Sequence, residues 1–302
     1  MINRILTSLI LCCSFLSGLA VANEPAGEKL VLLCSTTQIA DFSRQVVGDQ
    51  CSVKCILAPG ADPHTYTPVP GDASMAAAAD LCLQNGLHLE GKNWMAQLAK
   101  DAGKPIITCT DGIKPLEMDY EGTLVNDPHS WFTPKNAAVY VNNITRAICD
   151  LDPDHADQYR ARAKLYLQQL RAVDGWIREQ FIAIPVDKRI LVTSHDAFNY
   201  FCGEYGFKSR SPVGWSTGSE MGGGMTPKRR KQVIESIQSF GVKAVFVETS
   251  VNPKLIREIA REAGVRVGGE LCSDSMGAQG SAGETYIGMM RENVLTIVGA
   301  LK

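Results

Sequence analysis

Residues 152–182, DPDHADQYRARAKLYLQQLRAVDGWIREQFI, decide how this chain is read. Tyr159, Leu165, Leu167, Leu170, Val173, Ile177 and Phe181 recur at roughly helical spacing. Pro153 stands at the start, and Pro185 follows the end. Apolar residues three and four apart line one side of a helix. About 30 residues at ~1.5 Å each reach on the order of 45 Å, long for one globular helix. The reading is a rigid helix between two lobes. The alternative is a pair of shorter helices meeting at Gly175, the one helix breaker inside the stretch.

On both sides of this segment, strand-like and helix-like runs alternate. Before it, Leu30–Leu33, Ser52–Leu57, Leu81–Leu83 and Pro105–Thr108 read as strands. Helices fall between them: one capped by Thr36 or Thr37 and stopped by Gly48, one starting at Asp72, one over Trp94–Ala102, and one opened by Thr133-Pro134. After it, Arg189–Thr193, Lys243–Glu248 and Val265–Leu271 read as strands. Helices begin at Thr226-Pro227, Pro253 and Thr285. Such alternation builds parallel sheets. The expected fold class is α/β: two lobes with parallel-type sheets joined by a long rigid backbone helix. The expected boundaries are residues 1–22 for a leader, 23–150 for the first lobe, 151–185 for the linking helix and 186–302 for the second lobe.

The leader has the marks of a secretory signal. Arg4 is a short positive region, Ile5–Leu19 is apolar but short for a bilayer span, and Ala20-Val21-Ala22 is an A-x-A cleavage pattern. Cleavage is expected after Ala22, giving a periplasmic or otherwise extracytoplasmic protein. Neither Cys12 nor Cys13 follows the small-residue pattern of a lipid-attachment cysteine, and no later apolar run suits a membrane span. A net charge of −2 leaves no electrostatic footprint for nucleic acid. Beyond the leader remain Cys34, Cys51, Cys55, Cys82, Cys109, Cys149, Cys202 and Cys272, with no C-x-x-C pair. Buried free thiols are the expectation, with one or two disulfides as the alternative that export permits.

Chemistry enters through the histidines. Three of the five sit in short, similar settings: Asp62-Pro63-His64, Asp127-Pro128-His129 and Ser194-His195-Asp196. Each comes after a strand-like run or in a loop leaving one, as does Asp274 in Cys272-Ser273-Asp274-Ser275. Ligands of open α/β sheets gather outside the carboxyl ends of strands. Two candidates fall in each lobe, so a cleft between the lobes would complete the set. Three imidazoles and a carboxylate suit zinc, manganese or ferrous iron. Four protein ligands leave no open coordination position, which points to a carrier rather than a catalyst. Asp62, Asp127 and Asp196 are candidate acceptors for imidazole N–H groups.

Several features read as bystanders. His88 is a loop residue near the cleft rim, His155 a solvated helix-start residue, and Glu248 a strand-end carboxylate not assigned to coordination. Lys228–Lys231 reads as a solvated charged face, and Glu220–Gly224 as a mobile loop. Asn143-Ile144-Thr145 matches a glycosylation pattern by chance on a helix.

The segments Gly60–Pro68, Ala79–Glu90, Asp127–Trp131, Leu271–Gly277 and Thr285–Asn293 resemble, in order and over the whole mature chain, motifs of the periplasmic zinc/manganese-binding proteins of ABC importers. The resemblance implies two α/β lobes on a long backbone helix with one metal between them. By motif, His64, His129, His195 and Asp274 match the ligands, a three-histidine, one-aspartate set. It implies delivery of Zn2+ or Mn2+, with Fe2+ less expected, to a membrane permease with its ATPase subunit, by a monomer without enzymatic activity. Dedicated zinc scavengers of this kind often carry a His-rich loop before the second ligand. Lys114–Asn126 has Glu117, Asp119 and Glu121 but no histidine, which favours a zinc/manganese type. A secreted metallohydrolase or a metal-stabilised adhesion module using the same histidines is the alternative. H-E-x-x-H does not occur.

Overall fold

The structure is a computed structural model that describes residues 29–120, 123–212, 226–249 and 253–302. The leader and the Glu220–Gly224 loop lie outside the described residues. Four strands, β1 (Val31–Cys34), β2 (Ser52–Cys55), β3 (Leu81–Gln84) and β4 (Ile106–Thr108), form a parallel sheet in the order β2-β1-β3-β4. Leu32 pairs with Val53 on one side and Leu81 on the other. Strands this apolar fit a sheet covered on both faces. One cover is α1 (Thr37–Val47). The other holds α2 (Pro70–Ala78) and α3 (Trp94–Asp101), whose Ala76, Trp94 and Met95 pack with Leu33 and Cys82.

Helix starts differ in detail from the sequence reading. Thr36 occupies the N-cap of α1, but its hydroxyl makes no capping bond. Helix α2 begins at Pro70, two residues early, because Asp72 acts from the third helical position, accepting from the backbone N–H of Val69 at 2.8 Å. The stretch 114–126, read as a loop, carries an antiparallel pair, β5 (Glu117–Tyr120) and β6 (Thr123–Asn126). Thr133 caps α4 (Pro134–Leu151), its hydroxyl accepting from Asn136 N–H.

The long segment is one helix. After a 3-10 turn over Pro153–His155, α5 runs unbroken from Ala156 to Phe181, 26 residues, straight through Gly175. It packs against α1 and α4. Among its described residues the second lobe has two parallel pairs: β7 (Ile190–Val192) with β8 (Lys208–Arg210), and β9 (Ala244–Glu248) with β10 (Arg266–Leu271). Its helices are α6 (Asn199–Tyr205), α7 (Pro227–Ser239), α8 (Pro253–Ala263) and α9 (Tyr286–Leu301). Helix α6 and strand β8 had no counterpart in the sequence reading. Among the described residues no helix is long and apolar enough to cross a membrane.

The largest apolar core spans both halves. It joins Leu32, Phe42 and Tyr140 of the first to Phe201, Tyr286 and Met289 of the second. Phe42 stacks edge-on against Tyr286 at 4.8 Å between ring centroids. All eight cysteines after the leader are free thiols, seven of them buried. Burial pushes the Cys55 and Cys202 thiols up to about 12, which keeps them protonated and inert at neutral pH.

Candidate metal centre

Four loops at strand ends meet in one place. His64 follows β2, with Gly60 at φ 84° making the turn out of the strand. Asp62 then folds the loop back on itself, one carboxylate oxygen accepting from His64 N–H at 2.8 Å and the other from the Thr65 hydroxyl at 3.0 Å. His129 follows β6, so the hairpin delivers it rather than a strand of the parallel sheet. His195 leaves β7, and Asp274 leaves β10.

The four side chains offer one ligand atom each, all within 4.8 Å of one another. His64 Nε2 lies 3.2 Å from His129 Nε2. Asp274 Oδ1 lies 3.4 Å from His129 Nε2, and Asp274 Oδ2 lies 3.2 Å from His195 Nε2. Metal–nitrogen bonds of ~2.0–2.1 Å in a tetrahedron put neighbouring ligand atoms about 3.3 Å apart. His129, His195 and Asp274 are buried, and His64 keeps 22 % of its side chain exposed, so it faces the entry.

Electrostatics point the same way. Both Asp274 carboxylate oxygens are buried without a hydrogen-bond donor, as is His195 Nε2. A buried carboxylate without donors is costly unless a cation satisfies it. Burial pulls the His64 ring down to about 4, with the Asp274 charge opposing. That ring is neutral at pH 7, as a ligand must be. Burial also resists ionisation of Asp274, but His195, His64 and His129 together outweigh it and hold the carboxyl well below its usual range. Burial lowers His195 too, yet the carboxylates of Glu248 and Asp274 dominate and raise it.

The groups behind the rings differ from loop to loop. Asp127 Oδ1 lies 2.8 Å from His129 Nδ1, which leaves Nε2 for a metal. The other Asp127 oxygen accepts from the Asn199 amide at 3.1 Å, so a second-lobe helix steadies it. Asp62 serves its own loop instead of the His64 ring. Behind His195 stands Glu248 rather than Asp196. Glu248 Oε2 lies 2.6 Å from His195 Nδ1, while Oε1 accepts from His195 N–H at 3.0 Å and the Ser194 hydroxyl at 2.9 Å. Asp196 lies on the turn after His195, and its backbone carbonyl accepts from Asn199. Sequence reading missed Glu248's role; its signal was an acid ending the otherwise apolar strand Ala-Val-Phe-Val-Glu, buried at every position.

The other bystanders among the described residues stay outside the cluster. His88 is exposed and His155 pairs with Asp152 at 2.9 Å. The Asn143 amide is buried and donates to the carbonyls of Cys109 and Asp111, which makes it a structural residue of α4. Arg230 pairs with Glu258 and Glu262 across to α8, and Lys231 with Glu235.

Residues 32–300 match the family described as zinc-uptake complex component A, periplasmic. The manganese-binding lipoprotein MntA of Bacillus subtilis is 37% identical over 293 residues, covering 94% of each chain. The iron-binding protein YfeA of Yersinia pestis is 34% identical over 301 residues, covering 97% of this chain and 94% of that one. The solved periplasmic zinc-binding protein TroA of Treponema pallidum superposes with a TM-score of 0.82 at 32% identity, over 90% of this chain and 99% of that one. Its fold is the two-lobe arrangement described above. The hydrolase and adhesion-module alternatives gain no support from these relatives.

Proposed function

This chain belongs to the family of periplasmic zinc-uptake components, and on that premise we propose that it is an extracytoplasmic solute-binding protein for one divalent transition metal. The ion is cargo. His64, His129, His195 and Asp274 hold it between the lobes, and an ABC permease with its own ATPase subunit receives it. The relatives' names span manganese, iron and zinc. Zinc and manganese are the proposed cargoes, since three imidazoles and one carboxylate accept either, and zinc binds such a set more tightly. The protein acts as a monomer, exported with its leader removed after Ala22. Residues 151–185 link lobes 23–150 and 186–302.

The observation that carries this reading is the Asp274 carboxylate. Both of its oxygens are buried without donors and face three imidazole nitrogens. Four protein ligands with no position set aside for water suit capture and release, not hydrolysis. The apolar core does not depend on the ion, so the apo protein is expected to stay folded. The test is metal titration of the mature protein beside His64→Ala and Asp274→Ala. Wild type is expected to take up one equivalent of Zn2+ or Mn2+. Both variants are expected to lose affinity strongly while retaining native circular dichroism. Unchanged affinity in both variants would overturn the assignment.

A further inference from the structure

The segment from Asn85 to Trp94 contributes no ligand, yet it meets both aspartate-proline-histidine loops. Asn85 Nδ2 donates to the carbonyl of Pro128 at 3.1 Å, the peptide directly before His129. Trp94 Nε1 donates to the carbonyl of Pro63 at 3.0 Å, the peptide directly before His64. One segment thus grips two ligand loops at equivalent peptides, one from each of its ends. Between them, Gly91 comes so close to the first loop that a Cβ there would lie 2.3 Å from the His64 carbonyl oxygen.

The segment is itself stiff. The buried Glu90 carboxylate accepts from the backbone N–H groups of Asn85 and Gly86 at 2.6 and 3.0 Å, and from the Ser35 hydroxyl at 2.7 Å. The Asn85 side chain, 1% exposed, also accepts from the Tyr140 hydroxyl, and its backbone carbonyl accepts from the Thr110 hydroxyl at 2.6 Å. Leu87, His88 and Asn93, with φ of 52°, 67° and 59°, are the non-glycine residues of positive φ among those described, and all three lie here. Side-chain-bearing residues keep that conformation only where their surroundings over-determine it.

We propose that residues 85–94 are a clamp that sets the separation and facing of His64 and His129 in advance, with Asn85 and Trp94 as its positioning residues. Half of the metal site is then preformed within the first lobe. The described hydrogen bonds of Asn85 and Trp94 reach neither His195 nor Asp274 of the second lobe. The inference rests on His64 and His129 being ligands. Its physical content is preorganisation: orientation fixed beforehand is not lost as entropy on binding.

The test is zinc titration of the full mature protein carrying Trp94→Phe or Asn85→Asp, each alone and combined with His64→Ala or His129→Ala. Trp94→Phe keeps an aromatic side chain but removes the N–H together with the rest of the indole's five-membered ring. Each variant is expected to weaken binding by about tenfold or more, as loss of a group orienting a ligand does, while the apo protein keeps native circular dichroism. The visible bands of the Co2+-loaded protein, which report ligand geometry, are expected to shift. Trp94→Phe is expected to add no loss once His64 is alanine, and Asn85→Asp none once His129 is alanine. Affinity within about twofold of the parent, or the same loss in both histidine backgrounds, would overturn the clamp. Should Asn85→Asp fail to fold, the Trp94→Phe cycle decides alone. If His64→Ala itself left affinity unchanged, the ligand assignment would fall, and the clamp with it. If His64→Ala weakened binding and Trp94→Phe did not, only the clamp would fall.

Discussion

His195 is the most electrostatically loaded residue of the site. Glu248 approaches its Nδ1 at 2.6 Å and Asp274 approaches its Nε2 at 3.2 Å. Burial opposes the charged ring, but the two carboxylates outweigh it and raise its affinity for a proton. A metal that takes Nε2 must displace that proton. Because the ring binds its proton more tightly than ordinary histidine, metal affinity falls as pH drops through neutrality. Calorimetric titration in buffers of different ionisation enthalpy is expected to show about one proton released per ion near pH 7. Glu248→Gln, which removes one of the two charges, is expected to release less and to bind about 10–100-fold more weakly. Buffer-independent heats in wild type would contradict this account. Of the four proposed ligands, His64, His195 and Asp274 were legible in sequence because each follows a strand-like run, and the repeated Asp-Pro-His marks His64 and His129. Glu248 was not legible in this role, because it and His195 end different strands, far apart in sequence, and meet only when those strands lie side by side.

Among the elements, α5 was the most legible and carries the clearest test. Its buried stripe is Tyr159, Ala163, Tyr166, Leu170, Val173, Ile177 and Phe181; Leu165, read from sequence as part of it, is exposed and Leu167 half-buried. Gly175 lies on the opposite, exposed side, and a Cβ added there meets nothing within 4 Å. Glycine inside a helix costs roughly 0.5–1 kcal/mol relative to alanine. Gly175→Ala is therefore expected to stabilise the protein by about that amount in chemical denaturation, with metal affinity unchanged. Destabilisation would mean that the helix bends there. The hairpin β5–β6 escaped the sequence reading for a physical reason. Its two strands are only four residues long: Glu-Met-Asp-Tyr alternates over too short a run to decide, and Thr-Leu-Val-Asn does not alternate and is largely exposed. Helix α6, of seven residues, and strand β8, of three, are short as well, and tertiary packing decides them more than pattern does.

At the scale of the molecule, the two lobes are tied rather than loosely hinged. Asp41 of α1 accepts from the Tyr286 N–H at the start of α9, and the Tyr286 hydroxyl donates to the Trp131 carbonyl, two residues beyond His129. Thr37 accepts from Met276 N–H, the Gln38 amide donates to the Ser273 carbonyl, and Gly60 N–H donates to the Ser275 hydroxyl. First-lobe groups thus hold the loop that carries Asp274 on both of its sides. Strand and helix alternation announced two lobes, but these cross-lobe bonds join residues 155 to 245 positions apart and leave no local pattern. The cleft is a junction where a continuous core brings four loop ends together, and the proposed function places a single cation there.

The most direct test is anomalous diffraction from crystals of the mature protein loaded with Zn2+ or Mn2+, collected at the metal's absorption edge. The account predicts one peak, within about 2.0–2.2 Å of Nε2 of His64, His129 and His195 and of an Asp274 carboxylate oxygen. A peak elsewhere, or none at this junction in crystals shown to contain the metal, would contradict it.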